Sequence, residues 1–154
     1  LKYITMSLEI TINADIKTAM LAKNEAALRG LRAVKSAILL AKTADGKTGD
    51  LTEEDEMKIL QKLVKQRKDS LDVFVAQHRE DLAQKERDEL EVIEKFMPKQ
   101  MDENELREAL NGIIAAVGAA GAGDMGKVMG AATKQLAGKA DGKMISAMVK
   151  ALLA

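Results

Sequence analysis

Asp124-Met-Gly-Lys-Val-Met-Gly-Ala-Ala-Thr-Lys-Gln-Leu-Ala-Gly-Lys-Ala-Asp-Gly-Lys-Met-Ile-Ser-Ala-Met-Val-Lys-Ala-Leu-Leu-Ala154 closes the chain as two short helices with a stop between them. Val128, Met129, Ala132 and Leu136 recur at helical spacing, and Asp124 stands where an N-cap belongs. Gly138 stops that helix. Asp141 then caps a second one, carrying Ile145, Met148, Val149 and Leu152. Almost all the charge in the run is lysine.

The same period runs back through the chain. Leu8, Ile12, Ile16 and Met20 recur every four residues behind Ser7, a capping residue. Ala27, Leu31, Val34 and Ile38 mark a second helix that should end near Lys42, before a loop reaching Asp50 with glycines at 46 and 49. Thr52 with Asp55 opens a third helix, striped by Met57, Leu60, Val64, Leu71 and Phe74. A fourth is expected from about Arg79 to Phe96, with Leu82, Leu90, Ile93 and Met97 on one side. Pro98, the one proline, disfavours helix at Met97. Asp102-Glu-Asn-Glu105 restarts it as a capping box, and Leu106, Leu110, Ile113 and Val117 follow. Gly118 to Gly123 reads as a small-residue linker. No segment alternates at period two over a useful length, so the expected class is all-α. Two helical subdomains are expected, over 6–97 and 99–154. The third and fourth helices are long for their apolar content and read as a charged hairpin.

Composition narrows the chemistry. The chain has 154 residues, 47% of them hydrophobic, so it can bury a core. Its three aromatics are Tyr3, Phe74 and Phe96, which leaves the core to aliphatic residues and methionine. Without cysteine there is no disulfide and no thiolate ligand or nucleophile. Neither a signal peptide nor a membrane span is recognisable, so a soluble cytoplasmic protein is expected. Met6-Ser-Leu8 resembles a natural start, with 1–5 as an upstream extension. The formal charge of zero is unevenly spread. Residues 1–51 carry eight Lys/Arg against five Asp/Glu, residues 52–108 eleven against seventeen, and residues 109–154 five against two. An acidic middle argues against wrapping in nucleic acid and leaves room for a basic face at either end.

Catalytic constellations are hard to assemble. Gly121-Ala-Gly-Asp-Met-Gly-Lys127 begins like a phosphate loop but has Val128 where a magnesium-binding Ser or Thr is needed. Gly46-Lys-Thr48 fails because Ala41 stands at the required glycine. His78 is the single histidine and reads as a turn residue. The carboxylates around Glu53–Glu56 and Glu86–Glu94 read as solvated helix faces. No metal site or cofactor is expected. Arg67 lies on the third helix's apolar stripe, so it should be mostly buried and paired with an acid. Arg32 borders the second helix's apolar face and is a second candidate for an ion pair.

Met6-Ser-Leu8, Asp15-Ile-Lys-Thr-Ala-Met20, Leu31-Arg-Ala-Val-Lys35, Lys65-Gln-Arg-Lys-Asp-Ser70, Arg79-Glu-Asp-Leu82, Phe96-Met-Pro-Lys-Gln-Met101 and Asp124 to Lys143 resemble, in order and spacing, the GatB/YqeY family. The C-terminal run is the most specific of these pieces. In that family the module occurs as a stand-alone bacterial protein and as the tail of the amidotransferase subunit GatB. The catalytic body preceding that tail has no counterpart here. The resemblance implies two helical subdomains and a tRNA-contacting C-terminal module. The partners it implies are tRNA and a tRNA amidotransferase or aminoacyl-tRNA synthetase. At family level it also carries a link to carbon–nitrogen ligation with glutamine as amido donor.

The residues offer a matching surface. Gly126, Gly130 and Gly138 strip side chains from one face, and Lys127, Lys134, Lys139 and Lys143 supply charge for phosphates. The competing reading has Gly126 and Gly130 packing two helices closely while the lysines solvate the exterior. Reading single-stranded RNA needs aromatic faces, and the C-terminal part has none. Any RNA contact there should reach phosphate, ribose and overall shape. A protein-interaction role for the charged hairpin is the rival expectation.

Overall fold

The computed structural model describes residues 7–44 and 50–154. The expected start at Met6, the extension before it and the 45–49 part of the loop lie outside those residues. Seven α-helices are present and no strand among the described residues: α1 (Leu8–Leu21), α2 (Glu25–Thr43), α3 (Glu53–Ala76), α4 (Glu80–Glu94), α5 (Glu103–Val117), α6 (Met125–Gln135) and α7 (Gly142–Leu153). A short 3-10 turn, Ala122–Asp124, leads into α6. The chain divides into a first unit ending at Met97 and a second, Pro98–Ala154.

In the first unit α2 packs against α1, α3 and α4, and α3 packs along α4. The caps form where short polar residues precede helical runs. Ser7 accepts from the Ile10 amide, and Asn24 from the Ala27 amide. Thr52 and Asp55 close a reciprocal capping box. Turns of a few residues make α1–α2 and α3–α4 antiparallel pairs. Lys23 and His78 take positive φ in those turns, 52° and 56°. The core is aliphatic, with Ile12, Val34, Ile38, Leu60 and Ile93 almost completely buried. Gly30 lets α2 approach α4, because a Cβ there would lie 2.9 Å from Val92 Cβ.

The structure moves several expected positions. Met20 is 55% exposed, and Ala19 takes its place in the core. α4 runs Glu80–Glu94, inside the expected span, with Arg79 at its N-cap and no side-chain cap bond. Leu63 and Ala83, outside the expected stripes, are buried, while Leu71, Phe74 and Leu82 are half-buried.

The second unit packs α5, α6 and α7 around Leu106, Leu110, Val128, Ala132 and Val149. Asp102 and Glu105 form the expected capping box of α5. Left-handed Gly118 ends that helix, and the Ala119 amide donates to the Ile114 carbonyl. Asp124 sits at the N-cap of α6 but does not cap it. Its carboxylate accepts instead from the Ala120 amide at 2.8 Å, bracing the loop that the sequence presents as a plain linker.

Candidate nucleic-acid interface

α6 is amphipathic in an unusual way. Val128, Ala132 and Leu136 bury one side. At about 100° per residue, Gly126, Lys127, Gly130 and Lys134 fall within an arc of about 100° on the other side. All four are exposed. A methyl group at Gly126 or Gly130 would meet no neighbouring atom within 4 Å. The close helix packing expected of this Gly-xxx-Gly pair is therefore not made inside the second unit. Two glycines in an exposed helix cost about 1 kcal/mol each relative to alanine and return no internal contact.

Gly138 differs from the other two. It is buried, with φ of 74°, a conformation that side chains disfavour. It turns the chain out of α6 and stands apart from any exposed binding face. Its carbonyl accepts from Gln100 Nε2 at 2.7 Å, and the Lys139 carbonyl accepts from the Met101 amide at 2.8 Å. Lys139 itself is exposed on this turn. Asp141 then caps α7 by accepting from the Lys143 amide at 2.8 Å, which places Lys143 in the first turn.

The structure thus groups Lys127 and Lys134 on one helical face, about 10 Å apart along the axis. Lys139 lies on the connection to α7 and Lys143 in the first turn of that helix. Lys150, given no role on sequence grounds, lies seven residues beyond Lys143 on the same exposed flank of α7. The i, i+7 spacing that singles out Lys127 and Lys134 would have found it. None of these five lysines pairs with a carboxylate among the described residues. The reason lies in the sequence, since Asp141 is the single acid after Asp124.

The arginines sit differently. Arg67 has a side chain only 15% exposed. Its Nε lies 3.4 Å from Glu89 Oε2, and its Nη1 donates to the Leu63 carbonyl at 3.3 Å. Arg32 is exposed and joins no ion pair among the described residues. Arg29 takes the role expected of Arg32, within 3.9 Å of Glu89 and 3.8 Å of Asp88. α4 lies along the side of α2 that carries Gly30, and Arg29 borders that side. Burial, with the negative charge of Glu89 next, pushes the neighbouring Glu86 carboxyl above its ordinary value, and Arg67 opposes this. The network ties three helices together and offers no open face.

Two further features bear on chemistry. No group of three or more His, Cys, Asp or Glu side chains among the described residues is arranged to hold a metal. A cavity of about 30 Å³ beside Ser7, Glu9, Lys42, Asp50 and Glu56 admits a water molecule or so and no substrate. Lys42 there pairs with Glu9, the main cause of its raised pKa.

The model of the Yqey-like protein family matches residues 9–153. The chain belongs to that family. Relatives include "Altered inheritance of mitochondria protein 41, mitochondrial" from several yeasts. That of Saccharomyces cerevisiae strain YJM789 is 39% identical over 87 residues, covering 56% of this chain and 46% of the relative. That of Kluyveromyces lactis is 40% identical over 85 residues, covering 55% and 45%. That of Clavispora lusitaniae is 36% identical over 129 residues, covering 82% and 72%. The chain spans about half the length of the first two. No helix among the described residues is long and apolar enough to cross a membrane.

Proposed function

We propose that this YqeY-family protein is a non-catalytic accessory factor that binds tRNA through the α6–α7 face of its second unit. It would do so alone or beside a tRNA-handling enzyme such as an amidotransferase or an aminoacyl-tRNA synthetase. One observation carries the reading. Lys127 and Lys134 stand unpaired along one edge of the open surface over Gly126 and Gly130. Bare backbone bordered by free ammonium groups suits a phosphodiester chain, which needs close approach and positive charge. The second unit has no aromatic side chain, so the contact is to backbone and shape, as a folded tRNA presents them. The cytoplasm is the proposed location, with a mitochondrial one as the alternative carried by the relatives' name.

The test is a titration of folded tRNA at two salt concentrations. With four phosphate contacts, log affinity falls with log salt at a slope on the order of −3. Between 50 and 200 mM salt that is a loss of roughly sixtyfold. A variant with Lys127, Lys134, Lys139 and Lys143 changed to alanine should bind weakly at low salt and show a nearly flat slope. Equal binding by that variant, or none by the wild type at low salt, would sink the proposal. Amidated tRNA formed by this protein alone would overturn the non-catalytic part. The rival reading, protein docking through the α3–α4 hairpin, draws on Val73 and Val75, about half exposed near its tip. Charge reversal on the hairpin separates the two, because it should leave tRNA binding unchanged.

A further inference from the structure

The piece Pro98-Lys-Gln-Met101 belongs to the family resemblance, yet the proposed contact gives it no part. It forms a strap against the turn between α6 and α7. Gln100 Nε2 donates to the Gly138 carbonyl at 2.7 Å and to the Pro98 carbonyl at 3.1 Å. One residue on, the Met101 amide donates to the Lys139 carbonyl at 2.8 Å. Gln100 thus uses a single amide to join the strap to itself and to a turn 38 residues away. Both consecutive carbonyls of the turn, at Gly138 and Lys139, are taken by the strap. The turn is also held by the Lys139 amide bond to Leu136, the positive φ of Gly138 and the packing of Leu136 and Ala140 on the core, but the Gly138 carbonyl is bonded by Gln100.

We infer that Gln100 is a positioning residue for the basic turn, holding Lys139 and the approach to Lys143 in the orientation that receives phosphate. This rests on the tRNA-binding reading for its purpose, though the latch itself does not. With its carbonyl captured, the Gly138–Lys139 segment keeps one orientation, and the Lys139 side chain stays on the exposed side. A glutamine suits the task because its two N–H bonds reach two carbonyls at once. A methionine of similar length donates nothing. A glutamate would set a carboxylate against two carbonyl oxygens.

The experiment compares wild type, Gln100→Met and Gln100→Glu in the full chain by amide hydrogen exchange and by tRNA titration. Gln100 is largely exposed, so both variants should fold, which far-UV circular dichroism and the protection of α5 amides will show. The Met101 and Lys139 amides report the latch directly, since each donates within the strap and turn. A hydrogen bond of ordinary net strength predicts exchange there faster by about five- to tenfold in Gln100→Met, and faster still in Gln100→Glu. Affinity for tRNA should fall severalfold in both, with no change at α5. Unchanged exchange at Met101 and Lys139 would overturn the latch. Faster exchange with unchanged affinity would overturn its positioning role while leaving tRNA binding intact. Faster exchange in a protein whose wild type binds no tRNA would refute both the binding proposal and the purpose assigned to Gln100.

Discussion

The two units handle charge in opposite ways. In the first, many cations are neutralised in place, though Arg32 has no such pair among the described residues. Arg29 and Arg67 share Glu89, Lys42 meets Glu9, Lys68 meets Glu94, and Arg87 meets Glu80. In the second, Arg107 pairs with Glu103 on α5, and the lysines of α6 and α7 have no such partner. Surface pairs add little stability, so the contrast matters less for folding than for what each surface offers. The first unit shows a patchwork with little net field. The second keeps uncompensated positive charge on two adjacent helices, which is the surface the tRNA proposal rests on.

The glycines repeat the contrast, and they supply the larger stability prediction. Gly30 is an internal necessity. A Cβ there would sit 2.9 Å from both Cβ and Cγ1 of Val92, and 3.4 Å from the Glu89 carbonyl. Val92 is β-branched and stiff, so it cannot swing away cheaply. Gly30→Ala should destabilise the protein by about 1–2 kcal/mol, overpacking outweighing the helix-propensity gain. Urea unfolding would read this as a lower midpoint. A stability equal to wild type would mean that α2 and α4 separate easily and that the close approach is no constraint.

Gly130 should respond in the other direction. Nothing crowds it, so Gly130→Ala should stabilise the second unit by up to about 1 kcal/mol. If phosphate approaches the bare backbone there, the same change should weaken tRNA binding. A variant more stable yet poorer at binding is the expected signature. Greater stability with unchanged affinity would leave the lysines as the contact and remove the glycine from it.

These two glycines show where sequence reasoning reaches its limit. Spacing alone makes Gly126 and Gly130 a helix-packing pair, and only the position of neighbouring atoms shows otherwise. Helices and most caps were legible because they depend on local chemistry. Ser7, Thr52 with Asp55, Asp102 with Glu105, and Asp141 all cap as their residue types require. The buried stripe was less legible at helix ends. A repeat of exactly four residues drifts, and by Met20 it has turned about 120° from Leu8, so Ala19 faces the core. Partner choice was the least legible. Which side of α2 receives α4 is a tertiary fact, and it makes Arg29 the ion-pair residue where Arg32 was expected. The unpaired lysines could be read early, because no acid lies between Asp124 and Asp141 to neutralise them. Lys150 escaped because it falls beyond the glycine-rich run.

The smallest predicted effect probes the charge network of the first unit. Burial, and then Glu89, raise the Glu86 carboxyl above its ordinary 4.5, against the pull of Arg67. A folded pKa above the unfolded one means that the native state holds its proton longer. The ionised form therefore costs stability at neutral pH, and that cost disappears as pH falls through the raised pKa toward 4.5. Glu86→Gln should accordingly be slightly more stable than wild type at pH 7, by a fraction of a kcal/mol because the site is partly solvated. The difference should close on acidification. Asp81 in the same hairpin has the opposite sign. Its hydrogen bond from Arg79 lowers its pKa below 3.8, so what it contributes is present at neutral pH and lost in acid. Urea midpoints should therefore move toward wild type from opposite sides, Glu86→Gln as pH falls from 7 toward 4.5 and Asp81→Asn only on further acidification below 3.8. A Glu86→Gln advantage that persists unchanged in acid would assign it to packing and leave the charges around Glu86 without measurable effect on stability.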